Sequence, residues 1–313
     1  DAAGVAIVWG YALWLGGNLL LPRWNACWPD WAVSAAFWPL LGLISVLAGG
    51  AVGLMAGKLS SVAALAGLAL YLFLLLRNTA WPGMAWLAVA TLTASGLLAA
   101  TGWNGWLVSH GREDVAALVW LNLLFLLIPL WRRYGPLLAQ QLCWRQTELE
   151  APLFWTPFIA LILLLAQRLM LEFSMLWAWM PAANLSGTLT GSALLLAATA
   201  GHAFKLRPGR LSAQILLLAL GAAVIAALLD LAAPPVWLPL AVAAWNGALL
   251  LAWRYGSRQS EIWNSALELW LAFLPAANLV LFLVMPGFSG TAITVTLLAL
   301  AAVTLAQGGW QRQ

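Results

Sequence analysis

Apolar residues along this chain come in long blocks, separated by brief breaks that are charged or rich in Pro, Gly and Asn. Cutting at those breaks leaves runs near 3–22, 31–57, 61–76, 80–103, 115–131, 152–180, 186–204, 212–231, 235–252, 262–285 and 290–307. Most are long enough to cross roughly 30 Å of hydrocarbon as a helix. The run at 61–76 is short, caught between Lys58 and Arg77, and reads either as tilted with its neighbours or as re-entrant, so the count is ten or eleven spans. Helices satisfy their own backbone in lipid and can turn Leu, Ala and Val outward. The expected fold is therefore an all-α polytopic transmembrane bundle, one transmembrane domain over 1–313 with no sizeable soluble domain.

Composition strengthens this reading. Of the 313 residues 64% are hydrophobic and 8% charged, against the roughly 25% charged residues of a soluble domain. A soluble core this apolar would leave large exposed patches and aggregate. Many of the 22 Trp stand next to Pro, Arg or Asn at run ends: Trp24, Trp28, Trp31, Trp81, Trp103, Trp106, Trp131, Trp144, Trp237, Trp253 and Trp310. That placement is an interfacial belt. Trp120 and Trp270 lie inside runs and either pack against helices or line a cavity.

Charge sets the orientation. Arg132, Arg133 and Arg145 fall in one loop, Lys205, Arg207 and Arg210 two loops later, and Arg254 and Arg258 two loops after that, whereas the turns at 181–185, 233–235 and 286–290 carry no Lys or Arg. The positive-inside rule makes loops 132–151, 205–211 and 254–261 cytoplasmic in a bacterial-type inner membrane. Eleven spans then put the N-terminus outside and the Arg312 tail inside. In the first half the alternation is less clean, with Arg23, Lys58, Arg77 and Arg112 in successive loops. The net charge of +4 reports orientation and lipid headgroups rather than nucleic acid. Membrane lipid is the expected partner, with other membrane subunits left open. No separate signal peptide stands out, and the chain opens on Asp1 without an initiator Met, which leaves room for residues upstream.

Two short matches suggest internal repetition. Trp131-Arg132-Arg133-Tyr134-Gly135 echoes Trp253-Arg254-Tyr255-Gly256, and Arg145-Gln146-Thr147-Glu148 echoes Arg258-Gln259-Ser260-Glu261. They suit either a duplicated bundle of parallel repeats or two helix ends built alike, with an aromatic anchor, a snorkelling cation and a Gly cap. Pro181 to Leu185 recurs at Pro275 to Leu279, once in a loop and once in mid-span, which reads as chance.

Ionisable groups inside spans cost about 2.5–3.5 kcal/mol each on insertion scales, so each calls for a partner or a function. Arg168 and Glu172 sit near the middle of the 152–180 run at i and i+4, with Gln167 beside them. That spacing lets the two side chains meet on one helix face. They are a substrate or proton site, or an internal ion pair locking helices together. Glu268 lies about two turns into the 262–285 run, followed by Pro275 and Asn278. Proline frees a carbonyl and bends the helix, and a nearby polar residue can fill the gap. Glu268 is thus a proton-coupling candidate or an interfacial carboxylate. Asp230, at an outer boundary, is expected to be solvated. The candidate pathway or binding residues are Arg168, Glu172, Glu268, Asn278 and Gln167, with no catalytic residue.

Enzyme signatures fail. Gly287-Phe288-Ser289-Gly290 looks like the GxSG of rhomboid proteases, but no histidine follows to serve as base. There is no HExxH, acidic DDxxD-like cluster or P-loop. Cys27 and Cys143 stand beside Trp at different run ends, without CxxC or Cys/His spacing, and read as unpaired. His110 falls in a loop and His202 ends the 186–204 run; one histidine makes no His-pair metal site. The sequence requires no cofactor.

One stretch carries a resemblance. Thr188 to Thr199, Gly201-His202 followed by Arg207-Pro208, an apolar helix, and a span ending in Trp253-Arg254-Tyr255-Gly256 resemble the closing part of the NnrS family of haem- and copper-associated membrane proteins. The match covers under a quarter of the chain, and the family's His-Glu-Met element and further histidines have no counterpart here. The resemblance implies haem as cofactor, His202 as its one candidate ligand, and a role in nitrosative-stress defence. Four functions follow for testing, in this order: a small-solute or lipid-linked transporter or channel, a non-catalytic subunit or assembly factor of a membrane complex, an NnrS-like haem protein, and an intramembrane enzyme.

Overall fold

A computed structural model of the chain describes residues 2–20, 37–56, 58–77, 81–105, 112–144, 148–178, 188–231, 237–256, 261–284 and 290–311. Among these lie eleven helices and no strand: α1 (Ala2–Leu19), α2 (Phe37–Ala56), α3 (Lys58–Leu75), α4 (Pro82–Gly105), α5 (Arg112–Gln141), α6 (Glu150–Ala178), α7 (Thr188–Leu206), α8 (Arg210–Asp230), α9 (Trp237–Gly256), α10 (Glu261–Val284) and α11 (Gly290–Gln311). Each apolar run of the sequence corresponds to one helix. Among the described residues five stretches are long and apolar enough to cross a membrane: Phe37–Met55, Pro82–Ala100, Val115–Gln141, Glu150–Glu172 and Arg210–Asp230. The fold is an all-α bundle of membrane-spanning type. Its outward side chains agree with lipid as solvent, since Trp9, Ile44, Met55, Leu123, Met170 and Phe273 are all exposed.

The helices form two compact units, Asp1–Leu161 and Ile162–Gln313, with the division inside α6. In the first, α1 packs on α2 and α3, and each later helix packs on the one before it up to α5. Backbones approach closely where side chains are missing. A Cβ built on Gly10 would lie 2.7 Å from the Gly42 carbonyl oxygen, and one on Gly42 would lie 2.7 Å from that of Gly10. Such contacts are how membrane helices gain dispersion energy when lipid is as apolar as they are. Gly42→Ala should therefore cost about 1–3 kcal/mol through overpacking, and Gly42→Leu should push α1 off α2. Gly4→Ala, with nothing within 4 Å of its Cβ, should be silent. Thermal unfolding of the three variants in one detergent checks the contrast; equal midpoints would refute the close approach.

Beside this contact, Tyr71 is fully buried and donates to the Pro39 carbonyl at 2.8 Å. Tyr11 donates to the Gly67 carbonyl at 2.5 Å, so two phenols tie α1, α2 and α3 together. Trp120 takes the packing alternative: its indole N–H donates to the Thr93 carbonyl at 3.3 Å, and its ring occupies the space a side chain at Gly96 would need. Phe125 meets Phe154 with ring centroids 6.1 Å apart, joining α5 to the first half of α6.

The structure corrects the loop at 132–151. Helix α5 does not stop at the arginines but continues through Trp131-Arg132-Arg133-Tyr134-Gly135 to Gln141, despite Pro129 and Pro136. Arg132 and Arg133 are exposed, so the cations leave the apolar surface by side-chain reach and the backbone need not unwind. The helix ends at Cys143, whose φ of 54° lies in the left-handed region. Trp144 N–H reaches the Ala139 carbonyl at 2.9 Å and Cys143 N–H reaches that of Gln140 at 3.1 Å. This is a Schellman termination without its usual glycine. Only the second copy of the repeated motif, at Gly256, coincides with a helix end. Likewise the 205–211 loop shrinks to residues 207–209. Most of the second match, 145–147 and 258–260, lies outside the described residues, as do Cys27, His110 and the Gly287-Phe288-Ser289 sequence.

In the second unit α7 packs on α8, α9 on α10 and α11, and α8 also touches α9 and α10. One buried cluster joins Ala213 and Leu217 of α8 with Leu249 and Leu250 of α9 and Leu267 and Leu271 of α10. A smaller one joins Leu189 and Ala193 of α7 with Ala223 and Ala226 of α8.

Candidate functional site

The Arg168–Glu172 pair forms as its spacing dictates. Arg168 Nε donates to Glu172 Oε1 at 2.7 Å, with side-chain exposures of 6% and 0%. Helix geometry alone brings them together, but it does not satisfy them. Arg168 Nη2 donates across to the Leu189 carbonyl in the first turn of α7 at 2.7 Å. The second carboxylate oxygen, Glu172 Oε2, is buried without a hydrogen-bond partner among the described residues.

The residue after Leu189 draws in a third charge. Thr190 N–H donates to Asp230 Oδ2 at 2.7 Å, and Thr190 Oγ1 donates to the same oxygen at 2.6 Å. Thr190 is among the first residues of α7, whose N–H groups have no acceptor within their own helix. Asp230 therefore caps α7 from α8, where a negative charge meets the positive end of the helix dipole. At the C-terminal end of its own helix the same charge is unfavourable, which makes the cap its main local compensation. Asp230 is thus not the solvated carboxylate expected from the sequence: it is partly buried, and its Oδ1 is shielded and unpartnered among the described residues. Its charge acts on Glu172 as well. One guanidinium and one carboxylate therefore meet two consecutive residues at the start of α7, and the second carboxylate, Glu172, joins through Arg168.

The second unit also holds a cavity of about 550 Å³ with an almost wholly apolar lining, including Leu169, Ile225, Leu228, Trp245, Trp270 and Ala277. Leu169 follows Arg168, and Leu228 is two residues before Asp230. Trp270 here takes the other alternative left open by the sequence: it lines the cavity, and its buried indole N–H has no partner among the described residues.

The remaining sequence candidates are placed apart. Gln167 is partly buried beside Arg168. Glu268 is exposed on α10 and takes no part in the cluster. Asn278 is fully buried, but it does not fill the gap left by Pro275 in its own helix. It donates instead to the Pro239 carbonyl of α9 at 3.2 Å, fastening α10 to α9. His202 is partly buried on α7. Among the described residues no three His, Cys, Asp or Glu side chains gather to hold a metal. Sequence reasoning missed Thr190 and also Asn246, which is fully buried on α9 with both side-chain polar atoms unpartnered among the described residues. The only signal for Asn246 was an amide inside an apolar run.

No known family model, curated protein or solved structure matches this chain.

Proposed function

We propose that this chain is a carrier for an amphiphilic, lipid-linked solute in a bacterial-type inner membrane. The observation that supports it is the apolar cavity lined from α6 and α8, the two helices that also carry the Arg168, Glu172 and Asp230 cluster. A hydrocarbon chain occupies the cavity, and the polar head sits toward Arg168, Glu172 and Gln167. Lipid tails are as apolar as the lining, so burial alone gives a tail little reason to leave the bilayer. Selection therefore rests on shape and on the few polar groups, of which the Trp270 N–H is one. With the Arg- and Lys-bearing turns cytoplasmic, the cluster faces the outer half of the membrane, where α6 and α8 end and α7 begins.

The test is native mass spectrometry of protein extracted in mild detergent, with an absorption spectrum of the same sample. The expected result is a colourless species that keeps an amphiphile of defined mass through delipidation. A chain that emerges bare sinks the carrier reading. Stoichiometric protein partners would replace it with a complex subunit, and a Soret band with an NnrS-like haem protein ligated through His202.

A further inference from the structure

The cluster leaves one unit of charge unbalanced. Arg168 offsets one of the two carboxylates, and the roughly half unit of positive charge at the start of α7 is matched by the roughly half unit of negative charge at the end of α8, where Asp230 sits. Glu172 and Asp230 thus retain an excess of negative charge, with Glu172 fully buried and Asp230 partly so. The two oxygens without a partner among the described residues, Glu172 Oε2 and Asp230 Oδ1, are both acceptors. An anion is therefore excluded, and a divalent cation would only reverse the imbalance. Buried charge without compensation costs several kcal/mol, so the natural occupant carries a single positive charge.

We propose that the carboxylates of Glu172 and Asp230 together bind one exchangeable monovalent cation, a proton or an alkali-metal ion. The charged groups acting on Glu172 are Arg168 on its own helix and Asp230 on α8. Thr190 contributes a hydroxyl that donates to Asp230 and retains lone pairs of its own. Occupancy changes what holds α7: with the cation bound, Asp230 is neutralised and grips the Thr190 N–H less firmly. Release restores a full charge at the start of that helix. Loading of the ion is thereby linked to the seating of α7 against α8. The inference deepens the carrier reading by naming its coupling ion, and it rests on that reading only for the purpose of coupling; binding itself is tested without transport.

The experiment is infrared difference spectroscopy of the full chain in lipid nanodiscs, titrated from acid to alkaline buffer and, separately, with sodium chloride against N-methylglucamine chloride. A buried carboxylic-acid carbonyl band that bleaches at alkaline pH, unaffected by sodium, identifies a proton. A band that sodium removes and N-methylglucamine does not identifies an alkali ion competing for the same oxygens. In either case the signal should fall from about one group per chain to none in Glu172→Gln and in Asp230→Asn, and persist in Glu150→Gln, a half-exposed surface partner of Arg132. Asp230→Asn keeps an oxygen for Thr190, so it guards against a folding defect in Glu172→Gln. Wild-type protein with no such band under either titration, or a band that survives both substitutions, overturns the proposal. A retained amphiphile without the band would refute the ion site and leave the carrier; the band without an amphiphile would do the reverse.

Discussion

Arg168→Ala is expected to be the most damaging single substitution in the second unit, lowering stability by about 3–5 kcal/mol, the usual cost of stripping one partner from a buried ion pair. Glu172 is fully buried and its Oε1 is held by Arg168, so removing the guanidinium leaves the carboxylate without its nearest compensating charge. The Leu189 carbonyl loses its donor from α6 at the same time, which loosens α6 from the start of α7. In detergent this should appear as a fall in the unfolding midpoint on the order of 10 °C, given the few degrees per kcal/mol typical of larger domains. The double variant Arg168→Leu, Glu172→Leu is the informative companion. Replacing a whole buried pair with apolar residues of similar size is often neutral or stabilising, so the midpoint should return to or above that of the wild type. Recovery of stability without recovery of ion titration or ligand retention would mean that the pair is kept for function. An Arg168→Ala midpoint equal to wild type would show that the pair carries no structural weight.

How much of this was legible in the sequence depends on how far apart the cooperating residues lie. Helix positions were legible because charges and Pro/Gly breaks mark where hydrocarbon must end: the runs at 80–103, 212–231 and 262–285 meet helices Pro82–Gly105, Arg210–Asp230 and Glu261–Val284 within a few residues. The rule failed at 115–131 because a charged residue ends an apolar surface without ending a helix, and Arg132 and Arg133 simply point away from it. The Arg168–Glu172 pair was legible because four residues of one helix settle it. The Asp230 cap on Thr190 was not, since the two are 40 residues apart and meet only through the packing of α7 on α8. The same holds for Asn278, whose partner is chosen by the neighbouring helix and not by the proline three residues before it. Local chemistry was readable; whatever depends on which helices become neighbours was not.

Filling the cavity should abolish ligand retention while leaving the fold intact. Ala277 lines one wall and Gly221 another, and a Cβ on Gly221 would stand 3.7 Å from Trp245 Nε1, an ordinary contact. Side chains introduced by Ala277→Phe or Gly221→Leu thus have empty space to enter. Each displaced carbon of a bound tail forfeits contacts of about 0.1–0.2 kcal/mol, so losing ten of them weakens binding by about tenfold, and a head group pushed off register loses more. Stability should hold or rise, because occupied cavities are better packed than empty ones. Trp270→Phe separates shape from chemistry: it keeps a ring in the wall and removes the unpartnered N–H. A ligand oxygen bonded there should cost about 0.5–1.5 kcal/mol when that donor goes, a partial loss where Ala277→Phe gives a complete one. If Ala277→Phe were stabilised and still kept its amphiphile, the cavity would be a packing defect filled by bulk lipid. A graded series, with Trp270→Phe weakened and Ala277→Phe empty, would locate the tail in the cavity and the oxygen at Trp270, because no general loosening of the bundle would rank the two variants in that order.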